Sequence, residues 1–143
     1  MNVKQISVFV ENKKGRLAEI TKALGENDID ISALSIADTT DFGILRLIVN
    51  KPDLAAKILK DKGLAVKATE VIAISVADKP GGLAAALEKL DAEHMSIEYM
   101  YAFVGKRTSE ALVIIRVEEP DKAVSVLEKN GIKVITNDEV YSL

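Results

Sequence analysis

The sequence predicts an α+β chain in which one βαββαβ unit occurs twice, with the helices of each unit on one face of an antiparallel sheet. The first observation is a glycine turn, between an apolar run and a helical pattern, at residues 12–17 and again at 78–83. The second is that Pro52 and Gly63 recur as Pro120 and Gly131, each 68 positions later. This self-similarity indicates a repeated unit, and we predict domains at residues 1–69 and 70–143.

Apolar periodicity places the elements of the first copy. Leu17, Ile20 and Leu24 recur at helical spacing, and runs rich in Val and Ile predict strands. Gly63 is a favourable C-terminal helix cap. The predicted elements are, in order, strand 4–10, helix 15–27, strands 29–37 and 42–49 joined by a turn at 38–41, a helix that opens at 51–53 and ends at Gly63, and strand 64–68.

The second copy repeats this order, which is the ferredoxin-like pattern. Its predicted elements are strand 71–76, helix 81–93, strands 96–104 and 109–117 joined by a loop around 105–107, helix 120–130 capped by Gly131, and strand 132–136. The tail, residues 139–143, is predicted to add an edge strand, with the first unit as one partner. The link at 69–70 is very short, so we expect the two units to pack side by side in a fixed relation.

Composition narrows the function classes. The 143 residues are 48% apolar and 29% charged, which is globular, and the absence of cysteine excludes disulfides and thiolate metal sites. No apolar run approaches the roughly 20 residues of a membrane span, and the N-terminus lacks the form of a signal peptide, so we expect a cytoplasmic protein without a membrane partner. The net charge is −3 and no basic cluster stands out, so nucleic acid is a poor partner.

Candidate catalytic residues are few. The single histidine, His94, stands at a helix end, where surface positions are commoner than catalytic ones. The sequence has no nucleophile elbow, no Walker pattern and no metal-ligand spacing. Tyr99, Tyr101 and Phe103 alternate along one strand, and this stripe is more typical of a core or an interface than of a base-stacking platform. We therefore predict neither an enzyme nor a cofactor.

The two turns carry a resemblance to a known family. Asp-Lys-Pro-Gly-Gly-Leu at 78–83 and Asn-Lys-Lys-Gly-Arg-Leu at 12–17, within repeated βαββαβ units, resemble tandem ACT domains over essentially the whole chain. The resemblance implies a regulatory module of amino-acid metabolism. It also implies side-by-side pairing of domains into one long sheet, with a free amino acid bound at the seam between two domains.

The residues themselves suit such a ligand. Bare glycine backbone and the first N–H groups of a helix favour a carboxylate, and a side-chain carboxylate or amide can accept from an ammonium group. The family pattern implies a polar residue three before the loop glycine and another at the start of the second strand, here Asn12 and Asp78, and Asp30 and Ser96. Each site would take its loop from one unit and its strand start from the other. The predicted site residues are Asn12 with the backbone of Gly15, Arg16 and Leu17, opposite Ser96, and Asp78 with Pro80 and the backbone of Gly81, Gly82 and Leu83, opposite Asp30.

The first loop departs from the family pattern. Lys14 stands where the second copy has the usual proline, Pro80, and Arg16 stands where it has Gly82. Two outcomes stay open at this point: the first site is empty or altered, or Lys14 and Arg16 help to bind the carboxylate.

These observations predict a non-catalytic regulatory module that binds a free amino acid between its two domains and signals to a separate enzyme or regulator. The alternative is a protein–protein interaction module or regulatory subunit without a small-molecule ligand, docking through a sheet edge or through the Tyr99, Tyr101 and Phe103 stripe. Exposed sheet edges make a homo-oligomer plausible.

Overall fold

A computed structural model describes residues 2–38, 41–104 and 109–142. Within these ranges the elements are β1 (Val3–Glu11), α1 (Arg16–Glu26), β2 (Ile31–Asp38), β3 (Phe42–Val49), α2 (Pro52–Asp61), β4 (Ala65–Ala77), α3 (Gly82–Ala92), β5 (Ile97–Ala102), β6 (Glu110–Val117), α4 (Pro120–Lys129), β7 (Lys133–Ile135) and α5 (Asn137–Tyr141). The predicted α+β class and repeated βαββαβ order are confirmed. The loop predicted around 105–107 and two residues of the turn predicted at 38–41 lie outside the described residues.

The chain forms two compact units. One runs from Lys4 to Thr69, and the other takes in Glu70 onward together with the start of the chain. In the first unit β1 and β2 both pair antiparallel with β3, for example Val8 with Leu45 and Ile36 with Leu45. Alternate strand residues and the inner faces of α1 and α2 build its core, which contains Ile6, Val8, Val10, Ile20, Leu24, Leu45, Leu47, Val49 and Leu59.

The second unit has the same plan. β4 pairs antiparallel with both β6 and β7, and β5 pairs with the far edge of β6. Its core under α3 and α4 contains Ile72, Ile74, Val76, Leu90, Ile115, Val117 and Leu127. None of the helices in the described ranges is long and apolar enough to cross a membrane.

The backbone conformation at the helix ends is the same in the two units. Gly63 and Gly131 follow α2 and α4 with φ of 84° and 77°, the left-handed conformation of a helix C-terminal cap, as predicted. After α1 and α3 the same left-handed position is taken by Asp28 and His94, both with φ of 58°. His94 is therefore an exposed helix-terminating residue.

One difference from the sequence prediction concerns the join between the units. The strands predicted at 64–68 and 71–76 form one continuous strand, β4, of 13 residues. The residues between them, Thr69 and Glu70, are neither glycine nor proline, so nothing local ends the extended backbone.

The prediction of an edge strand for the tail is wrong, because the tail forms the short helix α5. Thr136 caps this helix: its hydroxyl accepts from the N–H of Glu139 at 3.3 Å, and the Glu139 carboxylate accepts from the N–H of Thr136 at 3.5 Å. This reciprocal capping box fixes the helical start. Val140 is fully buried, so the helix is anchored by packing as well.

The aromatic stripe lies on the sheet face opposite the helices. Tyr99 pairs with Arg116 and Tyr101 with Ile114, whereas the intervening Met100 pairs with the core residue Ile115. Paired residues share a face, so the two tyrosines project away from α3 and α4. Their rings stack with centroids 6.5 Å apart.

Candidate functional site

The first glycine turn connects the end of β1 to α1. The N–H of Lys13 donates to the carbonyl oxygen of Glu11 at 2.7 Å, and the N–H of Arg16 donates to that of Lys13 at 3.3 Å. Gly15, with φ of 86° and ψ of −7°, turns the chain into the helix. A residue with a Cβ pays for this left-handed conformation, whereas glycine does not. The N–H of Asn12 donates to Asp41 at 2.9 Å and so ties the turn to the residue before β3.

The second turn has nearly the same backbone. Gly81 has φ of 84° and ψ of −6°, and the N–H groups of Lys79 and Gly82 donate to Ala77 at 2.9 Å and to Lys79 at 3.0 Å. A Cβ built on Gly82 would lie 2.0 Å from the carbonyl oxygen of Ala77. Only glycine therefore fits here without a shift of the backbone.

Both helices begin without a capping side chain, because the N-cap residue of each is glycine. The carbonyl oxygens of Gly15 and Gly81 accept from the fourth residue of each helix, Glu19 and Ala85, at 3.0 Å. The first N–H of each helix, of Arg16 and of Gly82, donates to a carbonyl oxygen of the turn. The N–H groups of the second and third helix residues have no acceptor within their own helix, and these are the donors that a carboxylate could use.

A pocket of about 250 Å³ lies beside the first turn, entirely within the first unit. It brings together three predicted site residues, Asn12, Arg16 and Leu17, whereas Lys14, Gly15 and Asp30 are outside its lining. The remaining lining residues come from the turn and from β1, β2 and β3: Val10, Glu11, Lys13, Ile36, Asp38, Gly43 and Leu45.

Two ion pairs set the charges at this pocket. Lys13 Nζ lies 2.7 Å from Glu11 Oε2, and this hydrogen bond and charge lower the pKa of the Glu11 carboxyl. The Arg16 guanidinium lies 3.4 Å from Glu19 Oε2, with 35% of its side chain exposed. A guanidinium has five N–H donors, so this one contact leaves others for a further acceptor.

A larger pocket, of about 420 Å³, lies beside the second turn and within the second unit. It contains Pro80, Gly81 and Gly82 from the predicted set, whereas Asp78, Leu83 and Ser96 are outside its lining. Its polar residues are Ser75, Lys79, Lys89, Glu110, Asn130 and Lys133. The Ser75 hydroxyl donates to the Glu110 carboxylate, and Lys133 lies 3.4 Å from Glu139.

The two strand-start residues are both exposed. Asp30 is held through its backbone: its N–H donates to the side-chain oxygen of Asn50 at 2.9 Å, and its carbonyl accepts from the N–H of Asn50 at 3.2 Å. Ser96 directly precedes β5. The pairings of Asn12 with Ser96 and of Asp78 with Asp30 join residues of different units and stay predictions.

A family model matches this chain along its whole length. The model of the ACT domain pair matches residues 1–143. The chain belongs to the ACT domain pair family. Protein BT0572 from Bacteroides thetaiotaomicron, a solved structure, is 45% identical, with alignment over 100% of this chain and 98% of that one and a TM-score of 0.93.

More distant solved structures share the fold. The regulatory subunit of aspartate kinase from Thermus thermophilus is 15% identical over 90% of this chain and 93% of its own, with a TM-score of 0.65. The corresponding subunit from Thermus flavus is also 15% identical, over 90% of this chain and 92% of its own, with a TM-score of 0.61. No curated protein matches.

Sequence reasoning missed several pocket residues of this ACT domain pair. Asp38, Ile36 and Gly43 line the first pocket because of the pairing register of β2 with β3, which no local pattern states. Lys89 could have been found, since it lies seven positions after Gly82 and so on the same face of α3. Among the described residues no cluster of His, Asp and Glu could hold a metal ion.

Proposed function

We propose that this ACT domain pair is a non-catalytic regulatory module that binds a free amino acid at its glycine turns, between its two domains, and signals to a separate enzyme or regulator of amino-acid metabolism. One observation carries the proposal. Two helices begin at glycine N-caps whose φ and ψ agree within 2°, each without a capping side chain. Such a repeated start offers backbone donors to two small anionic groups.

The chemistry of a free amino acid matches this arrangement. A carboxylate at a helix N-terminus gains about 0.3–1 kcal/mol when exposed and up to about 2 kcal/mol when partly buried. Asn12 and Asp78, at equivalent positions before each glycine, have side-chain oxygens that can accept from the ammonium group. A ligand with so few atoms binds with limited affinity, and we expect dissociation constants in the micromolar to millimolar range, about −8 to −4 kcal/mol.

Likeness of fold to regulatory subunits supports a separate target. Solved structures that share this fold over nine tenths of the chain are named as regulatory subunits of aspartate kinase. By analogy, the regulated activity would reside on another polypeptide, and exposed sheet edges would allow this chain to form a homo-oligomer.

Thermal unfolding against the twenty amino acids, one at a time at millimolar concentration, tests the proposal. A ligand present at 100 times its dissociation constant stabilises by about 2.7 kcal/mol, which is a shift of several degrees for a protein of this size. Asp78→Ala and Asn12→Ala should reduce the shift. Asp91→Ala, an exposed change at the far end of α3, is the matched control and should leave it unchanged.

The alternative is a docking module without a small-molecule ligand. It would use the Tyr99, Tyr101 and Phe103 stripe, which lies on the sheet face away from the helices and is partly exposed. Absence of a thermal shift with all twenty amino acids would refute the sensor proposal and leave this one. Tyr101→Ala should then reduce partner capture, whereas Asp78→Ala should not.

A further inference from the structure

We infer that the pocket of the first unit selects an α-amino acid with an uncharged aliphatic side chain, holding its carboxylate on Arg16 and its ammonium group on Asp38. This inference rests on the proposed function and names the ligand class for one of its two sites. It depends on the floor of the pocket, on the charges at its rim, and on the corresponding positions of the second unit.

The floor of the pocket is apolar. Val10 and Leu45 are buried beneath it, and Leu17 and Ile36 line it while remaining 42% and 50% exposed. A ligand side chain that covered these two residues would remove apolar surface from water, at about 25 cal/mol per Å². A charged side chain there would lose hydration without gaining a partner. The small volume of about 250 Å³ favours a short chain of carbon atoms.

Strand pairing places Asp38 on the same face as this floor. Asp38 pairs with Gly43, which pairs in turn with the core residue Val10, so all three lie on the face that α1 covers. Gly43 leaves the space between them open. A Cβ built there would lie 3.5 Å from the Ala37 oxygen and 3.7 Å from a methyl carbon of Ile36, which is ordinary contact.

The charges at the rim suit a zwitterion. Glu11 and Lys13 neutralise one another at 2.7 Å. Among the described residues, Arg16 forms one ion pair, at 3.4 Å with Glu19, and its charge also acts on the Glu11 carboxylate. The exposed Asp38 forms no ion pair with the described residues. One cation and one anion are thus available at the same small pocket, in addition to the amide of Asn12.

The second unit lacks Arg16, Asp38 and Gly43 at the corresponding positions. Arg16 corresponds to Gly82, Asp38 to Val104 and Gly43 to Ala111, by the 66- and 68-residue offsets of the repeat. The charged residues that line the pocket beside its turn are Lys79, Lys89, Lys133 and Glu110 instead. The selectivity for an aliphatic amino acid therefore belongs to the first unit alone.

Calorimetric titration of the full chain with L-leucine tests the inference, alongside 4-methylpentanoate, which lacks the ammonium group, and L-leucinamide, which lacks the carboxylate. Asp38→Asn should weaken L-leucine binding by about tenfold and leave 4-methylpentanoate binding unchanged. Arg16→Gln should weaken L-leucine by a similar factor and leave L-leucinamide unchanged. Gly43→Val should abolish L-leucine binding by filling the pocket, with Gly25→Ala as the glycine control outside it.

Three results would overturn the inference. The first is a loss that Asp38→Asn causes equally for L-leucine and 4-methylpentanoate, because Asp38 would then not contact the ammonium group. The second is unchanged L-leucine binding in a folded Gly43→Val variant. The third is a wild-type chain that binds only charged or aromatic amino acids, which leaves the proposed function standing. If none of the twenty amino acids binds, the proposed function fails as well.

Discussion

Replacing Gly82 by alanine should destabilise the second unit more than replacing Gly81, although only Gly81 has a positive φ. A Cβ at Gly82 would lie 2.0 Å from the backbone oxygen of Ala77, whereas a Cβ at Gly81 meets nothing within 4 Å. The penalty at Gly81 is conformational, and the penalty at Gly82 is a collision with backbone that no rotamer change can relieve.

The magnitudes follow from the same turn. An alanine held in the left-handed region costs about 1–2 kcal/mol, which is the expected effect of Gly81→Ala. Gly82→Ala must open the contact with Ala77 to at least 3.4 Å, the start of ordinary contact. That movement strains the 2.9 Å hydrogen bond from Lys79 to the same oxygen. Overpacking of this kind costs about 1–3 kcal/mol and a weakened hydrogen bond about 1 kcal/mol, so we expect a total of about 3 kcal/mol.

Tyrosine fluorescence during urea unfolding provides the assay. The chain has no tryptophan, and its three tyrosines, Tyr99, Tyr101 and Tyr141, all lie in the second unit. Their fluorescence therefore reports that unit, while far-ultraviolet circular dichroism reports both. Arg16→Ala is the matched control, because Arg16 occupies the position of the first turn that corresponds to Gly82 and already has a Cβ. Equal destabilisation by Gly81→Ala and Gly82→Ala, or none by Gly82→Ala, would refute the collision argument.

The structure also fixes the direction of the stability change for four further substitutions. Gly25→Ala, inside α1 with open space around it, should stabilise the first unit by about 0.5–1 kcal/mol in thermal unfolding. Thr136→Ala should cost about 1 kcal/mol by removing the cap of α5. The backbone hydrogen bond from Thr136 lowers the pKa of the Glu139 carboxyl, so the stability that Glu139 contributes is complete above the ordinary carboxyl pKa and is lost as pH falls through the lowered pKa. Glu139→Gln should therefore flatten the acid side of the profile of stability against pH. Leu24→Ala should cost about 2–5 kcal/mol, visible by circular dichroism in the first unit's transition.

Local patterns were enough to predict the repeated fold. Leu17, Ile20 and Leu24 recur at helical spacing, and the two N-cap glycines and the two C-terminal cap glycines mark where helices begin and end. Such signals act over a few residues, so a sequence read in order reveals them. The tail was predicted wrongly because it falls where the first strand of a further repeat would begin, whereas Thr136 and Glu139, three residues later, form a capping box that favours a helix.

The candidate site was only partly predictable, for a different physical reason. The turns themselves have a sequence signature, so Asn12, Arg16 and Leu17, which line the first pocket, could be singled out from the sequence as candidate site residues. Asp38 enters the same pocket through cross-strand pairing, which depends on a register shift between Ile31 and Ala33. A one-residue slip would direct Asp38 to the opposite face, and periodicity does not specify such a shift.

The two copies have kept their backbone and diverged in their side chains. A left-handed glycine and an open helix start recur in both turns, so each can present backbone donors to the same kind of anionic group. What surrounds those donors differs: Arg16, Asp38 and an apolar floor in the first unit, and three lysines with Glu110 in the second. Backbone donors cannot discriminate one amino acid from another, because every amino acid has the same carboxylate. Under the proposed function, selectivity would therefore arise from the side chains around each turn, and two such different surroundings favour two ligands of different chemistry, or one ligand and one unliganded turn, over two identical sites.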